Sequence, residues 1–308
     1  MARLRVVRGG MLTTVQDRGR EGFGHLGVSQ GGAVDSYALR WALRLAGAAA
    51  EAAALEITLL GPTLEVQDAC FAAIAGAELG ARVGDMPWPA GSSRALRAGD
   101  VISFAAPASG LRAYLAFSGG IAADEVLGSR STDLVSQVGG LGGRPLRAGD
   151  LLEVGDGDGR PARAPVPTAR LGDVVRVLGG PRDALFPDGA LQALAAGRYR
   201  VTAESNRVGM RLAGPPVPGA PGDIPSEGVP LGAVEILPSG QPIVLLQDRG
   251  SVGGYPVLAT VVSADIPLLA QVRPGEEIAF RPVDRSEAAR ARQELERDMG
   301  RELLAQGG

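Results

Sequence analysis

Two turns of the 308-residue chain are written in the same letters. Gln16-Asp17-Arg18-Gly19 lies in TVQDRGREGFG and Gln247-Asp248-Arg249-Gly250 in LLQDRGSVGGY, each followed three residues on by a further glycine, Gly22 or Gly253. A carboxamide beside a carboxylate on a turn can orient a small polar ligand, and the glycines let a ligand or a partner backbone come close. Other side chains of matching chemistry stand elsewhere. Arg130 in GSRSTDL and Arg207 in ESNRVGM are candidate bidentate clamps for a carboxylate. Ser129, Ser131 and Thr132 offer hydroxyls, Asn206 an amide, and Gly253-Gly254 backbone N–H groups able to receive a developing oxyanion. Asn206 stands out as the only asparagine of the chain. It follows the strand YRVTA where alternation stops, so its amide either braces a turn or points into a pocket.

What the chain lacks narrows its chemistry. It has no lysine, so all 31 basic residues are arginine. That removes a Walker lysine, a Schiff-base lysine and a biotin-carrying lysine together. His25 is the only histidine, so any Ser-His-Asp triad must run through it, and GFGHLGV reads as a glycine-rich loop with no G-x-S-x-G elbow in the chain. Cys70, the only cysteine, excludes disulfides and thiolate metal cages, and within ACFAAIAGA it reads as a core thiol. The net charge is -3 with arginines scattered singly, which gives no stripe for a nucleic-acid backbone or an anionic membrane. No apolar run reaches the roughly 18 residues of a membrane span, and MARLRVVRGG lacks a signal-peptide block, so a cytoplasmic protein is expected.

The elements that must position these groups read as mainly β. Short apolar or alternating runs bounded by Gly, Pro and Asp recur at 54–60, 70–75, 101–104, 112–117, 174–178, 198–203, 243–246 and 277–280. Such punctuation favours barrels or sandwiches over alternating strand and helix layers. Helices are few. VDSYALRWALRLAG places Ala38, Trp41, Ala42 and Leu45 on one face, with Asp35 or Ser36 as N-cap and Gly47 as C-cap. A shorter helix fits 190–196, and a charged one fits 286–306 as a surface or interface appendage.

One phrase occurs three times: LRAGDVISF from Leu96, LRAGDLLEV from Leu146 and VRPGEEIAF from Val272. Each is a β-turn feeding a half-buried strand, a structural signal rather than a catalytic one. The Gly/Pro-rich GDGDGRPARAPVPT at 155–168 reads as a linker. The expected division is a β-barrel half over 1–160, a second over 161–285 and a helical appendage over 286–308. In the first half the Gln-Asp-Arg-Gly turn precedes LLGPTLEV, whereas in the second LAGPPV precedes the turn, so a plain tandem duplication does not explain the pair. Two readings stand: chance similarity of turn chemistry, or two related barrels each presenting a polar loop to a shared cleft.

Eight segments carry a resemblance. GMLTTVQDRGREGFGHLGV, GAVDSYALRWAL, ALEITLLGPTLEV, GSRSTDL, GGLGGRPLRAGD, SNRVGMRLAG, GQPIVLLQD and GGYP occur in the order found in the C subunit of bacterial ATP-dependent 5-oxoprolinase, the family also called KipA, allophanate hydrolase subunit 2 or the biotin-dependent carboxyltransferase domain. The resemblance runs over about residues 4–283. It implies two cyclophilin-like β-barrel halves, a KipI-like B subunit, a LamB/YcsF-type A subunit, and opening of the 5-oxoproline lactam to glutamate with ATP used by the complex and no covalent biotin on this chain. A site for that substrate needs a clamp for the carboxylate and donors for the amide oxygen. On this reading Asn206, Arg207 and Asp248 are catalytic, while Gln16, Asp17, Ser129, Arg130, Ser131, Thr132, Gln241, Gly253, Gly254 and Tyr255 bind substrate. The chain departs from the family at Ser251-Val252, where relatives often carry Thr-Thr, which removes one hydroxyl. Two other functions compete with the hydrolase reading: a carboxyltransferase component of a urea-carboxylase-like enzyme, which needs a biotin carrier from another chain, and a KipA-type binder of a kinase inhibitor.

Overall fold

The computed structural model describes residues 1–219 and 224–305. They form two compact units: Met1–Arg20, Gly31–Arg170 and the described residues from Asp298 make the first, and Glu21–Gln30 with Leu171–Arg297 make the second. The fold is mainly β, as its short alternating runs require.

The first unit holds two seven-stranded sheets. One runs Ile121–Ala122, Leu151–Val154, Ala2–Arg8, Thr63–Val66, Val101–Phe104, Ala81–Val83 and Met86–Pro87 in spatial order. The other runs Leu12–Gln16, Ala54–Thr58, Ser109–Phe117, Cys70–Glu78, Ser92–Leu96, Ala162–Arg163 and Leu304–Ala305. Alternation sends Leu4 and Val6 of the first sheet and Val15, Leu55, Ile57, Ile74 and Phe117 of the second into one core, each at most 1% exposed. The helix Ser36–Ala46 is capped as its sequence predicts: Ala38 N–H donates to Asp35 Oδ1 at 2.8 Å, and Gly47 takes a left-handed φ of 70°. Asp35 is itself fixed, since its N–H donates to Tyr114 Oη at 2.8 Å while Tyr114 donates to Glu56 Oε2 at 2.5 Å. Burial, with the Glu56 and Asp35 carboxylates beside it, holds the Tyr114 hydroxyl well above the usual phenol range.

The second unit is a closed barrel of seven strands, in order Val174–Gly179, Val257–Val261, Ala233–Ile236, Pro242–Leu245, Gly209–Ala213, Arg198–Val201 and Glu277–Pro282. Every pair is antiparallel except the closing one, Glu277–Pro282 on Val174–Gly179. Closure removes both sheet edges. Outside the barrel, Glu227–Gly228 and Val252–Gly253 pair as a two-stranded ribbon.

Two organisational expectations change. The stretch 155–168 is a strap on the first unit rather than a free linker. Ala162–Arg163 is a strand of the second sheet, Ser118 Oγ donates to the Gly157 carbonyl at 3.1 Å, and Gly76 N–H donates to Thr168 Oγ1 at 3.0 Å. The division therefore falls between Arg170 and Leu171, and residues 21–30 join the second unit. The C-terminal helix spans Arg285–Met299 and buries Ala291, Leu295 and Met299. That spacing of four makes a seam on a helix whose sequence shows mostly charge. Residue 306, the expected helix end, lies outside the described residues.

The thrice-repeated phrase builds one turn three times. Arg97 N–H donates to Asp100 Oδ2, Arg147 N–H to Asp150 Oδ2 and Arg273 N–H to Glu276 Oε2, each at 2.8 Å. Gly99, Gly149 and Gly275 take φ of 89°, 93° and 92°, which only glycine adopts at little cost.

Candidate functional site

In the first unit, six of the sequence-predicted residues come together around the Asp17 turn, three of them on its carboxylate. Asp17 follows the strand Leu12–Gln16 and is 5% exposed. Its Oδ1 accepts from Gly19 N–H at 2.8 Å, from Ser129 Oγ at 2.6 Å and from Ser131 Oγ, and its Oδ2 accepts from Arg130 N–H at 2.6 Å. Asp17 N–H in turn donates to Ser131 Oγ at 2.9 Å, and Gln16 Nε2 donates to the Thr132 carbonyl at 3.0 Å. The turn at 16–19 and the segment 129–132 are thus tied by hydrogen bonds that span more than 110 residues of sequence. Arg130 contributes its backbone here, while its guanidinium pairs with Glu125 at 3.1 Å.

The same cluster contains a residue that the sequence reading passed over. Arg20 is 2% exposed, with Nη2 donating to the Ser131 carbonyl and Nε and Nη1 without a partner among the described residues. Glycines make room for it: a Cβ at Gly139 would stand 2.4 Å from Nη2, and one at Gly31 would stand 3.2 Å from Nη1. Gln16 Oε1 and Thr132 Oγ1 are likewise buried without a partner among the described residues, and a Cβ at Gly140 would stand 2.0 Å from that hydroxyl. Buried polar atoms are normally satisfied, so these unpartnered donors and acceptors are candidate contacts for water or a small polar molecule.

The second unit solves the same four letters differently. Asp248, 4% exposed, receives a two-pronged contact from Arg207, 3% exposed: Nε to Oδ2 and Nη2 to Oδ1, both at 2.8 Å. Asp248 N–H closes the arrangement on the Arg207 carbonyl at 2.9 Å. The fork of Arg207, expected for a substrate carboxylate, is turned onto a carboxylate of the protein. Asn206 is exposed, and its Oδ1 accepts from Val208 N–H at 2.8 Å and Gly209 N–H at 3.2 Å, which is the turn-bracing geometry. Gln241 clamps the backbone of Gly214, accepting from its N–H at 2.8 Å and donating to its carbonyl at 3.1 Å.

Gly253 and Gly254 sit on and beside the outer ribbon, with Tyr255 following at 40% exposure. Against this ribbon lies Glu235, which the sequence reading also missed. It belongs to the barrel strand Ala233–Ile236, where the pairing with Val257–Val261 shifts register between Val234 and Glu235. Glu235 is 5% exposed, and its carboxyl makes no hydrogen bond or ion pair among the described residues. A Cβ at Gly253 would stand 3.2 Å from Glu235 Oε1 and 2.9 Å from Val229 Cγ2. Burial pushes the Glu235 carboxyl up to about 7.

The remaining candidates are quiet. His25 is exposed, with Nδ1 2.9 Å from the Gly22 carbonyl and no hydroxyl partner among the described residues. Cys70 is partly buried against the core, and burial raises its thiol to about 11, so it is held as the thiol rather than the reactive thiolate.

A family model described as "Carboxyltransferase domain, subdomain A and B" matches residues 26–282. The chain is 39% identical over 297 residues to the 5-oxoprolinase C subunit of Escherichia coli, covering 96% of each protein. It is 35% identical over 284 residues to the 5-oxoprolinase C subunit of Haemophilus influenzae, covering 92% of each. Among solved structures, that of the Kluyveromyces lactis urea amidolyase superposes with a TM-score of 0.90 at 30% identity, covering 96% of this chain and 20% of that one. A near-full-length match to proteins that share its length, and a fold match to one segment of a larger enzyme, leave one conclusion: this chain belongs to the carboxyltransferase-domain family of subdomains A and B.

Proposed function

We propose that this protein is the C subunit of an ATP-dependent 5-oxoprolinase. On this reading it is inactive alone and opens the 5-oxoproline lactam to L-glutamate together with a KipI-like B subunit plus a LamB/YcsF-type A subunit. The observation that carries the reading is the 39% identity to the Escherichia coli protein over 96% of both chains. Two features of the chain support it. The substrate is an anion bearing a lactam, and the first unit keeps the buried guanidinium of Arg20 with Nε and Nη1 without a partner among the described residues. With no lysine the chain forms no P-loop, and ATP is assigned to the complex as a whole.

A second reading rests on a separate observation, the fold match to urea amidolyase at a TM-score of 0.90. There the chain is the carboxyltransferase component and accepts a carboxyl group from biotin carried by another protein. Co-expression with the two partner subunits, size-exclusion chromatography and an assay of the pooled complex distinguish the readings. Co-elution, and glutamate formed only when 5-oxoproline, ATP and all three proteins are present, supports the hydrolase. Separate elution at micromolar concentration, or turnover that demands a biotinylated carrier, overturns it.

A further inference from the structure

The first unit holds a cavity of about 410 Å³ whose lining includes Pro87, Trp88, Pro89, Ser92, Arg94 and Arg163 and no residue of the Asp17 turn. Such a volume falls within the range of about 300–1,000 Å³ found for small-molecule sites. Strand geometry sets its two cations on one face. Ser92 and Arg94 are two residues apart on the strand Ser92–Leu96, so their side chains leave the sheet on the same side. Arg163, on the strap strand Ala162–Arg163, is paired in register with Ser92, which puts its side chain on that side too, diagonal to Arg94. That side faces the core: Ile74 and Ala72, the partners of Ser92 and Arg94 on the next strand, are core residues, as is Leu96. Two guanidiniums thus stand on the inner face of the sheet, at a separation that long side chains can span.

The walls are tied by the protein's own hydrogen bonds. Ser92 Oγ donates to the Pro89 carbonyl at 2.6 Å, Trp88 N–H to the Ala81 carbonyl at 2.8 Å, and Ala162 N–H to Ser93 Oγ at 2.9 Å. The cations, by contrast, are left uncompensated. Arg94 is half-buried, with Cζ 5.9 Å from the ring centroid of the buried Trp88, a contact that places the guanidinium without neutralising it. Arg163 is exposed. Neither guanidinium has an ion pair among the described residues, and no acidic residue lines the cavity. The carboxylate of Glu78, which reaches this loop, accepts from Ala90 N–H at 3.0 Å and pairs with neither. Arg144 of the same unit shows the usual arrangement, paired with Asp150 at 2.8 Å. Like charges brought together across a strand pair repel, and an anion between them turns that repulsion into attraction.

The chemistry of the lining selects the anion. A guanidinium presents a planar fork of donors and no acceptor. One carboxylate brings a single charge and two coplanar oxygens, which fill one fork. A phosphomonoester brings a charge of about −1.5 to −2 at pH 7 and three acceptor oxygens, which serve two forks arriving from different directions. A bare phosphate would leave most of the volume empty, and the exposed rings of Pro87 and Pro89 offer apolar surface to an organic group. We infer that this cavity binds a small phosphomonoester, with the phosphate held between Arg94 and Arg163 and the organic part against the two prolines. No bond forms or breaks there. None of the residues that the 5-oxoproline reading assigns to substrate takes part, so the two are tested separately.

Calorimetric titration of the full-length chain at neutral pH tests this. The probes are ribose 5-phosphate and inorganic phosphate, with acetate and succinate as carboxylate controls. The expected result is one site per chain with a Kd for ribose 5-phosphate below about 1 mM, weaker binding of inorganic phosphate, and no binding of either carboxylate at about 10 mM. Arg94→Gln and Arg163→Gln should each raise the Kd for ribose 5-phosphate at least about tenfold, since each removes charge-assisted hydrogen bonds. Arg211→Gln, which alters an exposed arginine of the second unit, should leave it unchanged. Arg94 also packs on Trp88, so the exposed Arg163 gives the deciding variant, with an unchanged urea midpoint showing that it is folded. The inference is overturned if neither phosphate binds at about 10 mM, if inorganic phosphate binds and the ester does not, or if a carboxylate binds as tightly as the ester. Binding that survives Arg163→Gln in a chain of unchanged midpoint overturns it as well.

Discussion

Replacing Asp17 by asparagine tests whether the turn at 16–19 is held by its carboxylate. Four donors reach the two oxygens: Gly19 N–H, Ser129 Oγ and Ser131 Oγ on Oδ1, and Arg130 N–H on Oδ2. Asparagine keeps one oxygen and puts an NH2 in place of the other. If the retained oxygen stays with the three donors, the NH2 faces Arg130 N–H, donor against donor. One hydrogen bond to a charged acceptor, about 1.5–3 kcal/mol, is then lost, and the other three lose their charge assistance. The expected destabilisation is about 2–3 kcal/mol, measured as the shift in urea midpoint at unchanged slope, which isolates stability from changes in the unfolded state. Asp17→Ala, which leaves all four donors without the acceptor, should exceed it. The double variant Ser129→Ala/Ser131→Ala should recover part of the loss in the Asp17→Ala background, because the hydroxyls then no longer lack an acceptor. A loss below about 0.5 kcal/mol for Asp17→Asn would refute the claim that this carboxylate ties the two segments.

Arg207→Met leaves the buried Asp248 carboxylate without its two-pronged partner and should cost about 3–5 kcal/mol, whereas Arg207→Met/Asp248→Leu should recover most of that loss, both read by urea denaturation. Gly253→Ala places a methyl 2.9 Å from Val229 Cγ2 and 3.2 Å from Glu235 Oε1, so a loss of about 1–3 kcal/mol is expected, and a neutral result would show that the ribbon shifts freely. Glu235 should make stability fall with pH: its folded value near 7 lies above the unfolded one, so the folded state binds the extra proton. That contribution is complete below about pH 4.3 and is lost as pH rises through 7, so Glu235→Gln should be more stable than wild type at pH 8 by about 1–3 kcal/mol and not at pH 4.5. Asn206→Ala should cost about 1 kcal/mol through the turn it braces, while Asn206→Asp, which keeps Oδ1, should stay close to wild type in stability.

Much of the scaffold can be read from local chemistry. The helix Ser36–Ala46 follows from Asp35, Gly47 and an apolar face, and the three turns at 97–100, 147–150 and 273–276 follow from an acid placed to accept from a backbone N–H three residues earlier. The convergence of Asp17 with Ser129 and Ser131 could be guessed only as residue types, because its contacts cross more than 110 residues. What escaped was burial created by distant parts of the chain. Arg20 reads as one of several arginines in a polar loop, yet glycines at 31 and 139 enclose it. Glu235 alternates with Val234 and Ile236 as a solvent-facing strand residue would, and it becomes buried because a ribbon from 227–228 and 252–253 lies outside the barrel. The strap at 155–168 has the composition of a linker, and only its pairing with Ser92–Leu96 makes it part of a sheet. The two Gln-Asp-Arg-Gly turns share a buried aspartate that ties distant backbone, by hydroxyls in one unit and by an arginine in the other.

The most direct test of the account is an omission assay on the three-protein mixture. Glutamate formed from 5-oxoproline is measured with ATP present, with each component left out in turn. The account predicts glutamate from the complete mixture and none when this chain is omitted. Undiminished glutamate without this chain, or none from a complete mixture that co-elutes as one complex, would contradict it.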